Sequence, residues 1–402
     1  MRRAAAVPAG AATLALVAAG CALAWQTDSP LVPLQGGTVD GTAPWFLALL
    51  LGAFTTYVIA LAALRKVPAS TRVAILLAAA IQFAPVAAPL LLSTDAWSYW
   101  SYGWIGSTGG GDPYADAPEQ FPENPALPWM GSAWIDTTSV YGPSFTAASE
   151  PLAIAAGDSE DVAAWTYKAL AALAAFAAAL LAGRLSRRKV FGIAFVGWNP
   201  VLAIHAAGGG HNDAWVGALI LAALALSASR RLQAAGVMWV LAITIKWVPI
   251  LFLALRAVEA RASGRSTAHR GFALAAIAVA AIATVLYGPS WPLAIFPLAG
   301  NAALETSYAF PSRLEQLGLP DGLALALAVA AFVVGFAWLL REANRGRARL
   351  GLAACLVLVT TPYLAVWYLA WAVPLAAADD DPPALAACLV LCLYLLPQTI
   401  PV

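Results

Sequence analysis

Apolar runs long enough to span a membrane recur along this chain and are separated by short polar stretches. A bilayer core of about 30 Å requires roughly 20 consecutive apolar residues in a helix. We therefore predict an all-α polytopic integral membrane protein, since a helix satisfies its own backbone hydrogen bonds in lipid. Eight stretches meet or approach that length: 7–25, 45–64, 73–92, 161–183, 190–207, 212–228, 271–288 and 321–340.

Two further apolar stretches, 232–256 and 350–400, are interrupted by polar residues. The first has basic clusters at both ends, yet it is too short to cross a membrane twice and has the wrong flanks for one crossing. Two short helices hinged near Lys246–Pro249 resolve this conflict, and such a break requires an enclosed or watery cavity. The second stretch has a similar break at 360–363. In all we expect eleven to thirteen transmembrane or re-entrant helices in a single domain, residues 1–402.

The composition supports a membrane protein. The chain is 61% hydrophobic and 11% charged, whereas a soluble protein is about 25% charged. The Lys and Arg clusters fall on one side of an alternating helix arrangement, and the acids concentrate in the opposite loops. Because basic loops remain cytoplasmic, we predict a multi-pass plasma-membrane protein with a cytoplasmic N-terminus. No nucleic-acid partner is expected.

The first 24 residues are compatible with two interpretations. Arg2 and Arg3 precede an apolar core, and residues 22–24 resemble the cleavage site of a signal peptide. A retained first helix is the alternative that we favour. The orientation of the following helices is the same in both cases.

One long loop, residues 93–160, is rich in Pro, Gly, Trp and acids. Loops of this length are usually functional or disordered, and its many aromatic rings argue against disorder. Because Trp and Tyr favour the headgroup zone, we expect short helices that lie flat on the bilayer surface. The charge pattern places this loop on the extracytoplasmic side.

Asp95 lies at a membrane edge, just past an apolar run and just before a cluster of aromatic residues. A carboxylate beside an apolar wall has a raised pKa, which suits a general base for a hydroxyl. The same position also suits a helix N-cap, and Ser93 and Thr94 are of cap type too. Position alone leaves both interpretations open.

A run of three glycines, His211, Asn212 and Asp213 opens a predicted helix. Asn212 or Asp213 can cap that helix, and glycines let a ligand approach the backbone closely. Three hydrogen-bonding side chains at a membrane edge are also suited to a polyol or phosphate. The sequence has no zinc-ligand spacing here, so we expect no metal and no other cofactor.

Two cations and an aromatic group are further candidates. Lys246 lies in the broken stretch, where a buried lysine is usually functional, although it can also snorkel to the interface. Arg313 is the only arginine expected outside, where a phosphate or an acid such as Glu315 suits it. Trp367 and Tyr368 fit either an interfacial belt or a sugar-stacking surface.

Taken together, these motifs resemble the polytopic GT-C glycosyltransferases that use polyprenyl-phosphate sugars. The resemblance is closest to the polyprenol-phosphomannose-dependent α-(1→6)-mannopyranosyltransferases of actinobacterial cell envelopes. Two departures, Trp97 in place of a usual Tyr and the glycine-rich stretch after Tyr102, bear on acceptor specificity. The resemblance rests on an ordered set: Asp95-Ala96-Trp97-Ser98-Tyr99 with Tyr102-Gly103, Gly111-Asp112-Pro113-Tyr114, Trp134, Tyr141-Gly142-Pro143, Asn199-Pro200, residues 208–213, Lys246 with Pro249, and Trp367-Tyr368 with Trp371.

The resemblance implies a GT-C-like bundle whose large first extracytoplasmic loop is catalytic, with Asp95 as the base of an inverting, metal-independent transfer. It implies a polyprenyl-phosphate-mannose donor and a cell-envelope glycolipid or polysaccharide acceptor, both met at the lipid bilayer. The substrate-binding residues that it implies are Tyr99, Tyr102, Asp112, Tyr114, Tyr141, His211, Asn212, Asp213, Lys246, Arg313, Trp367 and Tyr368.

Two alternatives remain. The same carrier class can deliver arabinofuranose or glucose instead of mannose. A transporter or flippase would use Asp95, His211 and Lys246 as a proton or substrate path. A transporter favours repeated halves and carboxylates near the mid-bilayer, whereas this chain has one asymmetric loop and acids at the membrane edge.

Overall fold

The protein is built from α-helices, as a computed structural model describes for residues 5–33, 41–67, 69–132, 134–266, 269–294 and 306–402. These residues contain no strand, which confirms the all-α prediction. In chain order the helices are α1 (Ala6–Leu23), α2 (Thr42–Leu64), α3 (Thr71–Phe83), α4 (Asp95–Ser107), α5 (Pro143–Ala156), α6 (Glu160–Leu185), α7 (Lys189–Gly197), α8 (Asp213–Ala228), α9 (Leu232–Ile245), α10 (Pro249–Ala262), α11 (His269–Tyr287), α12 (Phe310–Gln316), α13 (Asp321–Asn344), α14 (Leu350–Thr360), α15 (Leu369–Asp379) and α16 (Pro382–Leu395).

Five of these helices are long and apolar enough to cross a membrane: α1, α2, α6, α11 and α13. Six shorter apolar helices accompany them among the described residues. The expected total of eleven to thirteen transmembrane or re-entrant helices stays a prediction, since five helices alone have the length of a span. The fold is therefore that of a polytopic membrane protein.

Helix α6 forms the centre of the bundle, and α3, α7, α8 and α15 pack around it. Its buried face consists largely of alanines, among them Ala171, Ala175 and Ala178. Small side chains let helices approach closely, which is a main source of helix association in membranes. The same applies to α7, where a Cβ on Gly197 would lie 2.4 Å from the Cβ of Ala78.

The stretch 232–256 is divided into α9 and α10. Helix α9 ends at Ile245, Lys246 is extended (φ −151°, ψ 136°), and Pro249 begins α10. Proline suits this first helical position because its missing N–H would have no partner there. A second break separates α14 from α15, where Thr361 is extended. Both breaks lie at the residues where the sequence predicts them.

Two apolar runs form shorter helices than their length predicts. In 73–92, α3 ends at Phe83 and a 3₁₀ turn follows, because Pro85 and Pro89 donate no backbone hydrogen bond. The run 190–207 is divided after Gly197 and continues as a π-helix, Leu202–Ala207. Such π-helical turns occur frequently at functional sites.

The aromatic rings of the loop 93–160 pack against one another rather than spreading over a bilayer surface. Helices α4 and α5 do form, but Trp97, Tyr99 and Trp100 are 4%, 1% and 0% exposed. Rings of this size gain more from mutual edge-to-face packing and burial than from an interfacial position. Trp97 also donates its indole N–H to the carbonyl of Glu160 at 3.1 Å, which ties the loop to the start of α6.

The acidic turn before α16 lies against basic residues at the other end of α6. Asp381 accepts two hydrogen bonds from the Arg349 guanidinium at 2.8 and 3.0 Å. Asp380 accepts one from the Ser186 hydroxyl at 2.8 Å, directly after α6 ends. The 26 residues of α6 span about 39 Å at 1.5 Å per residue. The loop 93–160 and the basic turns therefore lie at opposite ends of the bundle.

Candidate active site

A cavity of about 260 Å³ lies where the loop 93–160 meets the hinge between α9 and α10 and the break before α15. This volume is near the lower end of small-molecule sites, which begin at about 300 Å³. The cavity combines one carboxylate, one ammonium group and seven aromatic rings. Its lining consists of Asp95, Trp134, Val140, Tyr141, Lys246, Trp247, Val248, Val357, Thr361, Tyr363, Trp367, Tyr368 and Trp371.

Asp95 is the first residue of α4, and its carboxylate faces this cavity with 17% of the side chain exposed. Thr94 is the N-cap residue and its side chain makes no cap hydrogen bond, whereas the Ser93 hydroxyl accepts from the N–H of Asp95 at 3.2 Å. Asp95 therefore does not serve as the cap that its position suggested. The hydroxyl of Tyr99, one turn later, donates to Oδ2 of Asp95 at 3.4 Å. Nδ1 of His211 lies 3.2 Å from the same oxygen.

The pKa of Asp95 lies below its ordinary value, which is the opposite of what the sequence predicts. Burial does raise the pKa of this carboxyl, but the His211 ring, the Lys246 charge and the Tyr99 hydroxyl together lower it by more. Asp95 is therefore ionised at neutral pH and ready to accept a proton. A low pKa also makes it a weaker proton acceptor than a base poised near neutrality.

The glycine run brings His211 to Asp95. Gly210 has a φ of +72°, a conformation that favours glycine, and a Cβ there would lie 3.3 Å from the Cβ of Ala96. The run therefore packs directly on the start of α4. The His211 ring is fully buried and stacks on Trp367, with centroids 3.8 Å apart. His211 thus lies behind the cavity wall and contacts Asp95 from that side.

Lys246 forms an ion pair with Asp213 beside this group. Its ammonium donates to the two carboxylate oxygens at 2.8 and 3.0 Å. Asp213 is fully buried, whereas 14% of the Lys246 side chain is exposed. Nζ also lies 4.5 Å from the ring centroid of Tyr368 and 5.4 Å from that of Trp371. Because an ammonium has three N–H donors, one remains for a group in the cavity.

Several buried polar atoms around the cavity lack a well-oriented hydrogen bond. They are both ring nitrogens of His211, both amide atoms of Asn212, and the indole nitrogens of Trp247 and Trp371. Asn212 is the N-cap residue of α8, yet its side chain makes no cap hydrogen bond. An unpaired buried polar group costs about 1–3 kcal/mol, so such groups need a partner such as a ligand or water. Their grouping suits a ligand rich in hydroxyls.

Gly142 lets the loop 93–160 pack closely against the hinge between α9 and α10. Its N–H donates to the carbonyl of Ile245 at 2.9 Å, and the hydroxyls of Ser144 and Thr244 lie 2.7 Å apart. A Cβ on Gly142 would lie 2.2 Å from the carbonyl oxygen of Thr244. No larger residue fits there unless the backbone just before Lys246 moves.

Three predicted tyrosines support the loop rather than line the cavity. Tyr99 packs edge-on against Tyr141, with centroids 5.0 Å apart. Tyr102 donates to the carbonyl of Thr137 at 2.8 Å, and Tyr114 donates to the carbonyl of Tyr141 at 3.0 Å. These contacts hold the segment that carries Tyr141 to the cavity.

Two other predicted residues lie apart from the cavity. Asp112 accepts a hydrogen bond from the N–H of Tyr114 at 2.9 Å and another from the Ser290 hydroxyl, so it ties the loop to the end of α11. Arg313 on α12 donates to the Tyr394 hydroxyl at 2.9 Å. Among the described residues, no three His, Cys, Asp or Glu side chains lie together so that they could hold a metal.

Sequence reasoning missed part of the cavity wall. Trp247 belongs to the predicted hinge, Tyr363 to the second break, and Trp134 and Trp371 to the motif set, but none was assigned to the site. Non-helical backbone in a membrane protein lines cavities. The breaks themselves were therefore the signal that could have identified Trp247 and Tyr363.

Lys168 is a second omission. It lies within α6, is fully buried, and its ammonium donates to the carbonyls of Ala88 and of Pro89, the latter at 2.9 Å. These carbonyls belong to the segment that leads into Asp95. A single lysine inside an apolar run was the available signal, because such residues are rare in membrane helices.

Comparison with known proteins identifies two family matches. A family model described as alpha-(1->6)-mannopyranosyltransferase, N-terminal domain, matches residues 7–262. A model of glycosyltransferase family 87 matches residues 140–397. The first match includes Asp95, the glycine run and Lys246, and the second includes the glycine run, Lys246 and the aromatic group before α15. No solved structure matches the chain.

Two curated relatives carry the same name, alpha-(1->6)-mannopyranosyltransferase A. The protein of Corynebacterium glutamicum is 25% identical over 255 residues, which are 58% of this chain and 51% of that protein. The protein of Mycobacterium tuberculosis is 29% identical over 167 residues, 40% of this chain and 32% of that protein. The matched part of this chain thus spans about half of the first relative and a third of the second.

Proposed function

Because the chain belongs to the alpha-(1->6)-mannopyranosyltransferase family, we propose that it transfers a mannosyl unit from a polyprenyl-phosphate donor to a cell-envelope glycolipid or polysaccharide. The observation that carries this proposal is the cavity in which Asp95 and Lys246 face the same space. Glycosyl transfer from a phosphate carrier uses both groups, a proton acceptor and a cation beside the leaving phosphate. The names of the two relatives support mannose as the sugar.

Asp95 takes the proton of the acceptor hydroxyl as that oxygen attacks the anomeric carbon of the donor sugar. The bond between this carbon and the phosphate oxygen breaks, and polyprenyl phosphate leaves with the bonding electrons. Attack opposite the leaving group inverts the anomeric carbon. Asp95 rather than His211 is the base, because His211 is fully buried behind it. His211 keeps the carboxylate ionised and holds its position.

Lys246 stabilises the leaving phosphate. Asp213 takes two of its three N–H donors and so holds the ammonium in place, while the third donor is left for a phosphate oxygen. A cation fixed in advance in a site with little water stabilises developing negative charge without reorganisation. The pair with Asp213 also explains how a lysine is retained in an apolar bundle.

The aromatic rings on the cavity wall position the two sugars. Trp134, Tyr141 and Trp367 offer flat faces on the cavity wall, which suit the C–H surface of a sugar ring. Correct placement of donor and acceptor supplies the proximity part of catalysis.

We place the reaction on the extracytoplasmic side. Helix α6 separates the loop 93–160 from the basic turns by about 39 Å, and basic turns remain cytoplasmic. Nucleotide sugars are confined to the cytoplasm, so a donor anchored in the bilayer by its prenyl chain suits this side. Labelling of an Asp158→Cys variant in intact cells with a membrane-impermeant maleimide tests the orientation. If the maleimide labels that thiol only after the cells are opened, the orientation is the reverse of the proposed one.

The reaction is tested with the purified full chain, radiolabelled polyprenyl-phosphate-mannose and a lipomannan-like acceptor. Labelled acceptor should form with the wild type and not with Asp95→Asn. Polyprenyl-phosphate-arabinose and polyprenyl-phosphate-glucose serve as competing donors. If one of the two competing donors yields product and polyprenyl-phosphate-mannose does not, the sugar assignment is wrong while the reaction class stands. Transport of an intact carrier lipid without any labelled product would instead favour a flippase.

A further inference from the structure

A second and larger cavity lies at the end of the bundle away from Asp95. It measures about 1100 Å³ and lies between α8, α9, α10, α11 and the turns that join them. Arg184, near the end of α6, donates to Ser229 at 2.8 Å, in the turn that borders this cavity. The loop that contains Asp95 contacts the start of α6 instead. We call this second cavity the basic cavity. The proposed transfer reaction makes no use of it.

The lining of the basic cavity combines cations with an apolar wall. Its basic side chains are Arg230, Arg256, Arg265 and His269, and none of its lining residues is Asp or Glu. The wall opposite includes Trp239, which is 4% exposed. The other large apolar side chains that line it are Leu232, Leu253 and Phe272.

The charges of this cavity are only partly compensated. Arg256 pairs with Glu259 one turn later on α10. Arg230 and Arg265 have no ion-pair partner among the described residues. Uncompensated charges of one sign along a cleft with low-dielectric walls concentrate the potential and attract counter-ions. The ligand that this lining favours is therefore an anion.

The outer side of α11, one of the helices that border the basic cavity, is apolar and exposed. Gly271 lets α11 pack closely against α9, since a Cβ there would lie 2.2 Å from the carbonyl oxygen of Gln233. On the outer side of α11, Leu274 and Ile277 are 69% and 66% exposed. An exposed apolar surface therefore lies on the same helix that contributes Phe272 to the cavity wall.

We propose that the basic cavity binds an anionic membrane lipid through its phosphate headgroup, with the chains against the apolar wall. Guanidinium groups form paired hydrogen bonds with phosphate oxygens, and basic pockets between membrane helices are suited to such headgroups. Inorganic phosphate alone uses neither the volume nor the apolar wall. A zwitterionic headgroup would bring its own cation towards the arginines. The proposal is independent of the transfer reaction at Asp95.

The test is a titration of the purified full chain by native mass spectrometry. Phosphatidylglycerol, phosphatidylcholine of the same chain length and inorganic phosphate are compared as ligands. We expect saturable binding of phosphatidylglycerol, and in the Arg230→Gln/Arg265→Gln double variant a weakening of roughly twenty- to thirtyfold, because each basic residue near an anionic headgroup contributes about a factor of five. Neither substitution leaves a carboxylate unpaired.

The matched control is Arg187→Gln/Arg231→Gln. It removes the same charge from exposed arginines that do not line the cavity, and we expect a change of less than about threefold. An Ala273→Trp variant narrows the cavity and keeps every charge, so it should also weaken lipid binding. Equal loss in the control, or retained binding in Ala273→Trp, would overturn the proposal. Equal binding of phosphatidylcholine or of phosphate alone would overturn it as well.

Discussion

The cavity that contains Asp95 and the basic cavity between α8 and α11 both place ionisable groups in an apolar bundle, but they hold these charges differently. In the first, Lys246 pairs with Asp213, and His211 lies 3.2 Å from the Asp95 carboxylate. In the second, Arg230 and Arg265 are exposed and unpaired within the described residues. Paired buried charges fix the position of each group, whereas unpaired exposed charges attract a partner from a distance. Substitutions at the first cavity should therefore change turnover and the free energy of unfolding strongly, and substitutions at the second should change them little.

The sharpest test of this difference is Asp95→Asn. The amide keeps the size of the side chain but cannot accept the proton of the acceptor hydroxyl, so we expect the turnover number to fall by about 10²–10⁴. Initial rates with saturating donor measure this. Asp158→Asn, an exposed acid of the same loop, should change the rate by less than about twofold. A rate for Asp95→Asn within threefold of the wild type would move the chemistry away from this cavity.

Lys246→Met should have the largest effect on stability. It leaves the fully buried carboxylate of Asp213 without its partner, which costs about 3–5 kcal/mol. Chemical denaturation in detergent measures the free energy of unfolding. The double variant Lys246→Met/Asp213→Asn should recover part of the loss, because it removes the isolated charge. Arg230→Gln in the basic cavity should stay within about 0.5 kcal/mol of the wild type. If the losses of unfolding free energy in Lys246→Met and in Asp213→Asn add up to the loss in the double variant, the two side chains do not form the ion pair.

Gly142→Ala should have an intermediate effect. Its Cβ would lie 2.2 Å from the Thr244 carbonyl oxygen, so the hinge must shift, at a cost of about 1–3 kcal/mol. We expect a lower free energy of unfolding together with a higher KM, because Lys246 moves with the hinge. Gly322→Ala is the control, since a Cβ there contacts nothing within 4 Å. Equal behaviour of the two variants would show that the loop is not seated through Gly142.

The smallest effect should appear in the pH dependence of the reaction. The lowered pKa of Asp95 keeps the base ionised, so activity is present above that pKa and is lost only as the pH falls through it. His211→Asn removes the leading influence that lowers the pKa, so the acidic limb of kcat/KM should move to higher pH. Arg265→Gln, in the distant basic cavity, should leave the limb in place. If the acidic limb does not move in His211→Asn, His211 does not lower the pKa of Asp95.

Much of the fold was predictable because it depends on local properties. The lengths of the apolar runs predict the long helices, and the basic flanks of 232–256 predict the break between α9 and α10. The runs 73–92 and 190–207 were overestimated, because mean hydropathy does not register the prolines that end a helix. The inward packing of Trp97 and Trp100 was also missed, since sequence composition does not distinguish a headgroup position from a local core.

The sequence indicated part of the cavity lining but not its arrangement. Asp95, Tyr141, Lys246, Trp367 and Tyr368 do line one cavity. The direction of the Asp95 pKa shift was wrong, because sequence position indicates burial but not the partners that oppose its effect. The partners of Arg313 and Asp112 likewise come from α16 and from the end of α11, which no local pattern indicates.

The sequence by itself determined that this protein is a helical membrane protein with its charges sorted between the two ends of the bundle. Apolar run length and loop charge act through the bilayer, which each helix meets independently. Only the tertiary structure decided that Asp213 neutralises Lys246 and that His211 lies behind Asp95. It also decided that arginines with no ion-pair partner among the described residues line a second cavity. Those outcomes depend on distances of a few ångströms between helices remote in sequence, and close packing sets such distances.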